Sequence, residues 1–223
     1  HGGETTEGSL DEGYRHAITK LSSLHLTATT EYQKRVIQMG HSPESVHVVG
    51  AMGLDAIENM KPISTPSLED FLGISLSGDS LLVTFHPETH EADPAECQIA
   101  GMLDALARVD ASLIFTMPNA DSGGRKIWSF IESFVAKNRS RACLHRSLGQ
   151  ERYISPLSSV SAVVGNSSSG IIEAPSFGIG TVNIGRRQAG RICANSVINC
   201  SSSSDDIFAS INKALDPSFR KLA

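Results

Sequence analysis

The chain has 223 residues, of which 40% are hydrophobic, and its formal net charge at pH 7 is -5. This length supplies a core for one large domain, or for one domain with part of another. The acidic balance argues against nucleic acid and membrane as partners, because anionic surfaces are normally bound by basic faces. Apolar runs are far shorter than the roughly 18 residues of a membrane-spanning helix. An anionic ligand would therefore be bound by local positive groups.

Helix and strand patterns alternate from the start of the chain. Apolar residues recur at helical spacing from Asp11 to about Ser23, which predicts an amphipathic helix. The next runs predict a strand (LHLTAT), a helix closed by Gly40 (TEYQKRVIQMG) and a strand ending in a glycine turn (SVHVVGAMG). These patterns indicate β/α alternation.

Pro62 and Pro66 then interrupt the alternation and predict a linker over residues 58–66. This linker would separate a remnant of an amino-terminal Rossmann-like domain, residues 1–57, from a carboxy-terminal nucleotide-binding domain, residues 67–223. The second domain restarts the alternation. Its predicted strands are SLLVTFHP, ASLIFTMP, RACLHRS, AVVGN, TVNIG and ANSVINC. Its predicted helices are PAECQIAGMLDALARV, GGRKIWSFIESFVAK, GQERYISPLSSV, SGIIEAPSFG and SDDIFASINKAL.

Strands separated by helices of this length predict a doubly wound parallel α/β sheet. Ligands of such sheets bind outside the carboxyl ends of the strands. The candidate binding loops are therefore HPETHE, PNADSGGRK, GNSSSG and GRRQAGR. The scattered cysteines form no Cys-x-x-Cys pair and lie mostly in or beside apolar runs, which predicts buried, reduced thiols and a cytoplasmic protein.

The GNSSSG segment is a candidate phosphate site. It joins a predicted strand to a predicted helix, and Gly170 allows the chain to turn into that helix. The free N–H groups of a helix start suit a phosphate or diphosphate. Ser168 and Ser169 add neutral donors, although serines here are also ordinary helix caps. Three arginines after the next strand, with His86 at the same sheet edge, favour the phosphate interpretation.

Other residues of these loops have two interpretations each. Glu173 could bind a ribose diol, as acidic residues do in dinucleotide folds, or could compensate a helix dipole. His86 could donate a hydrogen bond to a diphosphate or transfer a proton. Asn119 is placed to contact the ligand. HPETH resembles a zinc pair, but Pro87 follows the first histidine and no third ligand is suitably spaced, so we expect no metal.

Acidic and basic residues also crowd the amino-terminal segment, HGGETTEGSLDEGYRHAITK. Crowded carboxylates can have their pKa values pushed apart, which suits acid–base chemistry and makes His1, Glu4 and Asp11 candidates. A solvated acidic helix cap is the alternative. Arg15 could likewise form a plain surface ion pair with Asp11 at i+4.

Together, these motifs closely resemble the hydrolysing UDP-N-acetylglucosamine 2-epimerases of sialic-acid biosynthesis. The likeness runs in order over almost the whole chain and rests on five segments, HGGETTEGSLDEGYRHAITKLSSLHLTATTEYQKRVIQMG, VTFHPET, PNADSG, GNSSSGIIEAPSFG and VNIGRRQAGR. The resemblance implies a glycosyltransferase B fold with two Rossmann-like domains, the first incomplete in this chain. It also implies elimination of UDP from UDP-N-acetylglucosamine, then hydration to N-acetylmannosamine, without a cofactor.

The resemblance further implies roles for individual residues. Ser168, Ser169, Glu173 and Arg187 would contact the diphosphate and ribose. Asn119 would be a further nucleotide contact, and His86 the diphosphate-side histidine. Asp11 would be an acid–base residue near Arg15. Related enzymes can carry glutamate at the position of His1, but a histidine can still move a proton near neutral pH.

Several alternatives stay open. The same chemistry could act on a UDP- or GDP-2,4-diacetamido sugar, the enzyme could be a non-hydrolysing epimerase, or this stretch could bind UDP without turnover. Family members have several strands and helices before HGGE, so we expect these residues to be a portion of a longer enzyme. We also expect a homo-oligomer, either a dimer or a tetramer.

Overall fold

A computed structural model describes residues 2–9, 11–88, 95–118, 123–146, 148 and 154–222. The strands are β1 (His25–Thr27), β2 (Val46–Val48), β3 (Ser80–Thr84), β4 (Ser112–Thr116), β5 (Ala142–His145), β6 (Ala162–Gly165), β7 (Gly180–Ile184) and β8 (Val197–Cys200). The helices are α1 (Asp11–Leu21), α2 (Thr30–Gln38), α3 (Met52–Asn59), α4 (Thr65–Leu72), α5 (Ala95–Arg108), α6 (Gly124–Lys137), α7 (Ser169–Ile172), α8 (Ser204–Leu215) and α9 (Pro217–Arg220). Residues 154–157 are also helical.

The strands form two parallel sheets. β1 pairs with β2, and the other six strands form one sheet in the order β5-β4-β3-β6-β7-β8. The chain moves from β3 outward to β5, then crosses back to β6 on the other side of β3. The strand order therefore reverses between β3 and β6, which is where such sheets bind ligands. The predicted doubly wound parallel sheet is confirmed.

Both faces of the large sheet are covered, which explains the continuous apolar runs of its strands. Leu81 and Val83 of β3 face a cluster shared with α5, α6 and α8, whereas Leu82 faces a second cluster shared with α4. The sheet is thus held rigidly from two sides. Its strand ends are therefore suited to placing loops accurately.

Three local predictions need correction. Residues 52–59 form a helix that the sequence patterns did not predict, and it includes Met52 and Gly53 of the expected glycine turn. The expected helix SGIIEAPSFG is a four-residue α-helix, α7, followed by the 3₁₀ helix Ala174–Phe177. Pro175 stands at the start of the 3₁₀ helix, and a proline cannot donate the hydrogen bond that would continue α7. Cys97 is exposed rather than buried, and all four cysteines are free.

The predicted linker contains parts of two helices. α3 ends at Asn59 and α4 begins at Thr65, so only residues 60–64 lie outside helix or strand. Pro66 occupies the first turn of α4, where its missing N–H group is not needed. The division into two domains remains a prediction.

The apolar face of α1 is exposed. Tyr14, Ile18 and Leu21 are between 64% and 88% exposed, although their spacing is that of a buried helix face. Within the described residues, no helix is both long and apolar enough to cross a membrane.

His25 of β1 is expected to make stability depend on pH. The side chain is 1% exposed, and its Nε2 lies 3.1 Å from Nδ1 of His41. Burial lowers the pKa of His25 below its ordinary value of 6.5, and the charge of His41 lowers it further. Just below pH 6.5, His25 is therefore protonated in the unfolded chain but stays neutral in the folded chain.

The free energy of unfolding should consequently fall as the pH drops from 7 to 5. In His25→Gln the slope should be shallower by up to about 1 kcal/mol per pH unit. Urea unfolding at several pH values measures both slopes. Parallel slopes for the variant and the parent would contradict this explanation.

Candidate functional site

The site is built where the carboxyl ends of β3 and β6 lie side by side, with Thr84 opposite Gly165. Gly165 has a φ of 135°, and any Cβ there would overlap the carbonyl oxygen of Thr84. A glycine is therefore required for the two strand ends to approach this closely. This approach brings the loop after β3, which includes His86, next to the GNSSSG turn.

Asn166 ties three of the loops together. Its side chain is fully buried, accepts a 2.7 Å hydrogen bond from the His86 N–H and donates a 2.8 Å bond to the His86 carbonyl. The Asn166 carbonyl also accepts a 2.8 Å bond from Nε2 of the buried Gln188. Gln188 follows Arg187, so the histidine, serine and arginine loops meet at one asparagine.

The serine turn differs from the predicted helix start in one respect. The N–H groups of Gly170 and Ile171 donate to the carbonyls of Ser167 and Ser168, at 3.2 and 3.0 Å. These amides are thus engaged within the turn, and α7 is too short to provide the dipole of a full helix. Ser168 and Ser169 are both partly exposed, so a donor for an anion would instead be a side-chain hydroxyl group, although that of Ser169 also bonds to Glu173.

Gly170 is required for packing. It is buried, and a Cβ there would lie 2.7 Å from Cγ2 of Thr181 in β7. The Thr181 hydroxyl also donates a 2.7 Å hydrogen bond to the Gly170 carbonyl. These contacts hold the serine turn against the sheet. Its predicted contact with a nucleotide remains a prediction.

Glu173 follows α7 and is partly buried. Burial raises the pKa of its carboxyl group, and a hydrogen bond from the Ser169 side chain acts in the opposite direction. A Cβ on Gly53 of α3 would lie 3.4 Å from Oε1 of Glu173. The carboxylate therefore lies between the serine turn and the start of α3, where it could accept hydrogen bonds from a diol.

The loop after β7 contains Arg186, Arg187 and Arg191. Its first turn is fixed by Glu88, whose Oε1 accepts hydrogen bonds from the N–H groups of Arg186 at 2.9 Å and Arg187 at 3.2 Å. Arg186 is exposed, Arg187 is partly exposed, and the Arg191 side chain is 10% exposed. Three cations are thus presented at different depths.

The amino-terminal loop, residues 2–9, packs directly on this arginine loop. The Glu7 N–H donates a 3.0 Å hydrogen bond to the Ala189 carbonyl. A Cβ on Gly8 would lie 2.6 Å from the Arg186 carbonyl oxygen, and one on Gly190 would lie 2.7 Å from Cγ2 of Thr5. The two groups of residues that the sequence singled out separately are therefore adjacent.

Glu4 connects these two groups electrostatically. Its carboxylate lies 3.2 Å from the Arg191 guanidinium and 3.9 Å from that of Arg15 on α1. The Glu4 side chain is 13% exposed, and Arg15 also lies 3.4 Å from Asp11. Arg15 is thus more than a plain partner of Asp11, because it joins a cluster that reaches the arginine loop.

Asp11 and Glu12 differ in their surroundings. The Asp11 side chain is 58% exposed and accepts a hydrogen bond from the Ser9 hydroxyl. Glu12 accepts hydrogen bonds from the Thr6 N–H and hydroxyl groups and contacts His16. Burial raises the Glu12 pKa, but the hydrogen bonds from Thr6 and His16 outweigh it, and the net pKa is lowered. Glu12 thus fixes the loop, and Asp11 is open to a ligand.

A cavity of about 130 Å³ lies beside this cluster. It is lined by Gly2, Gly3, Glu4, Arg15, His16, Ile18 and Thr19. Two of the predicted catalytic-side residues, Glu4 and Arg15, therefore border a space that can admit a small polar group.

The structure thus brings most predicted site residues to one region. His86, the serine turn and Arg187 meet through Asn166, and Glu4, Arg15 and Asp11 adjoin the arginine loop. His1 and Asn119 lie outside the described residues. Sequence reasoning missed the connecting residues Asn166, Glu88 and Gln188, although each belongs to a quoted motif.

The fold and this site define the class of protein. It is a parallel α/β protein with the Rossmann-like sheet of the glycosyltransferase B type. A crystal structure of UDP-GlcNAc 2-epimerase from Neisseria meningitidis bound to UDP-GlcNAc shares the fold, with a TM-score of 0.77 and 18% identity. The match covers 99% of this chain and 62% of that one.

The chain belongs to the UDP-N-acetylglucosamine 2-epimerase family, which matches it over residues 1–223. It is 36% identical to a GDP/UDP-N,N'-diacetylbacillosamine 2-epimerase (hydrolyzing) from Campylobacter jejuni, over 99% of this chain and 55% of that protein. It is 38% identical to polysialic acid biosynthesis protein P7 from Escherichia coli, over 98% and 56%. The chain thus spans about half the length of the curated relatives it matches.

Proposed function

We propose that these residues form the nucleotide side, and part of the catalytic side, of a hydrolysing 2-epimerase that acts on a UDP-2-acetamido sugar. The observation that supports this most is the meeting of the His86, serine and Arg187 loops at the buried Asn166. A set of neutral and cationic donors on a rigid sheet edge suits a diphosphate. Membership of the epimerase family supports the sugar-nucleotide class.

The proposed reaction has two stages. In the first, a base removes the proton at C2 of the sugar, a C1–C2 double bond forms, and UDP leaves with the electron pair of the C1–O bond. In the second, water adds across the double bond, with its hydroxyl at C1 and a proton delivered to the opposite face of C2. The products are UDP and the free 2-epimeric sugar. Atoms and charge balance without an oxidant or a metal ion.

Roles in this reaction follow from the surroundings of each residue. We assign Arg187, Ser168, Ser169 and His86 to the departing diphosphate, and Glu173 to the ribose diol. The exposed Asp11 is the candidate proton-transfer group, and His1 is a second one by its sequence position. Glu4 is held by Arg191 and Arg15, so we assign it to orient Arg15. Asn119 stays a proposed nucleotide contact.

Two substrates fit this chemistry. The first is UDP-N-acetylglucosamine, which would yield N-acetylmannosamine. The second is a 2,4-diacetamido nucleotide sugar, and it is favoured by the 36% identity to the Campylobacter jejuni enzyme named for N,N'-diacetylbacillosamine. The two sugars differ at C4 and C6, so side chains that contact those positions would decide between them.

The test is to incubate the full gene product with each nucleotide sugar in D₂O and to follow the products by NMR. We expect UDP and a free sugar with deuterium at C2, formed faster from the preferred substrate. Formation of the epimeric UDP-sugar without free sugar would refute hydrolysis and identify a non-hydrolysing epimerase. Binding of UDP without any product would instead support a UDP-binding protein without turnover.

A further inference from the structure

We propose that Glu88 is a positioning residue for the diphosphate contacts, because its carboxylate sets the backbone of the turn that includes Arg187. This inference rests on the proposed function and adds a residue to that same site. Glu88 itself need not touch the ligand. Its effect would be transmitted through the direction in which the Arg187 side chain leaves the turn.

The hydrogen bonds of Glu88 anchor its backbone to α5 and connect its carboxylate to the arginine loop. The residue is 8% exposed, and its backbone is held by Gln98 of α5, which accepts from the Glu88 N–H at 2.9 Å and donates to its carbonyl at 3.3 Å. The backbone of Glu88 is thereby fixed to a long helix, α5. From this anchored residue, Oε1 accepts hydrogen bonds from the N–H groups of both Arg186 and Arg187.

The turn that Glu88 holds has the form of an anion-binding concavity. Gly185 has a φ of 74°, and the two following N–H groups converge on one oxygen. Successive N–H groups in such a turn commonly bind phosphate. Here a carboxylate of the protein occupies that position. A diphosphate would therefore be met by side chains at this turn and not by these two amides.

Glu88 also links the two sides of the proposed diphosphate contact. It lies two residues after His86 in the same loop, and 98 residues before Arg186 along the chain. A Cβ on Gly185 would overlap Oε1 of Glu88, so the glycine and the carboxylate are matched to each other. One change at Glu88 should thus disturb the Arg187 turn without removing any of the proposed side-chain donors to the ligand.

The test compares UDP with uridine, since only UDP contains the diphosphate. Binding of both ligands to the parent, Glu88→Ala, Glu88→Asp and Glu88→Gln is measured by calorimetry. We expect Glu88→Ala and the shorter Glu88→Asp to weaken UDP binding about tenfold, while uridine binding changes less than about twofold. Glu88→Gln keeps an oxygen for the amides and should bind UDP within about threefold of the parent.

Glu69→Ala is the matched control. Glu69 also accepts a loop N–H, that of Leu76 at 2.6 Å, but it lies on α4 away from the proposed site. This variant should melt at a lower temperature with an unchanged ratio of UDP to uridine affinity. Folding of each variant is checked by circular dichroism.

Three outcomes would overturn the assignment of Glu88. They are unchanged UDP binding in Glu88→Ala and Glu88→Asp, an equal loss for UDP and uridine, and failure of Glu88→Gln to restore UDP binding. A parent protein that binds no UDP would instead refute the proposed function, and the inference with it.

Discussion

Replacing Asn166 with alanine is expected to lower the free energy of unfolding by about 3 kcal/mol and to abolish measurable UDP binding. The change removes both partners of the His86 backbone at a fully buried position. The N–H group and the carbonyl of His86 would then each lose this partner, at a cost of about 1–3 kcal/mol each. The His86 loop would also lose its attachment to the serine turn, whereas the bond from Gln188 to the backbone carbonyl of residue 166 would remain.

The comparison variants separate these two effects. Asn166→Asp keeps an acceptor for the His86 N–H group, but an ionised carboxylate would be buried against the His86 carbonyl, so the free energy of unfolding should fall at least as far as in Asn166→Ala at neutral pH. Asn138→Ala removes a 2.9 Å hydrogen bond to the Phe134 carbonyl at the end of α6, remote from the site. It should cost about 1 kcal/mol and leave UDP binding unchanged. Urea unfolding and calorimetry give both quantities.

If Asn166→Ala unfolds like the parent, Asn166 does not organise the loops. If it is destabilised but binds UDP normally, the junction of the loops is structural only and the site lies elsewhere. Either result would remove the main support for the proposed function.

The large sheet could be predicted from the sequence because its strands are buried on both faces. The run SLLVT in β3 has three consecutive apolar residues at its centre, and all five of its positions are buried. Helices between such runs force parallel pairing and place all the strand ends at one edge. The candidate loops followed from that rule.

The errors have local causes. α3 begins at Met52, and its N-cap residue is Ala51 rather than the serine, threonine or aspartate by which a helix start is recognised. The exposure of Tyr14 and Ile18 could not be predicted, because periodicity defines an apolar face but not what covers it.

The internal connections of the site were also beyond sequence patterns. Asn166 bonds to a residue 80 positions away, and Glu88 to residues 98 and 99 positions away. Nothing local distinguishes these residues from ordinary turn residues. Their partners are determined by the strand order, which brings β3 between β4 and β6 and places β7 beyond β6.

The second large effect is expected from the Glu4–Arg191 ion pair. Removal of one member of a buried pair typically costs about 3–5 kcal/mol, because the other charge is left unpaired. Arg191→Met should lower the free energy of unfolding by about 3 kcal/mol, at the lower end of this range, because Arg15 still lies 3.9 Å from Glu4. The double variant, Glu4→Gln with Arg191→Met, should lose less free energy of unfolding than the two single variants lose in sum.

A double-mutant cycle by urea unfolding measures this coupling, which we expect to exceed about 1 kcal/mol. The matched control is an ion pair that joins the same two loops at the surface. Glu7 and Arg186 lie 3.7 Å apart, but their side chains are 54% and 73% exposed. Water and salt screen such a pair, so its coupling should stay below about 0.5 kcal/mol.

The contrast between the two pairs decides how the amino-terminal loop is attached. A large coupling only at Glu4–Arg191 would mean that the buried charges hold Arg15 beside the arginine loop. Equal, small couplings would mean that the backbone contacts of residues 2–9 suffice, and Glu4 would then be a candidate for proton transfer. In that case Glu4→Gln should reduce turnover of the full gene product far more than it reduces stability.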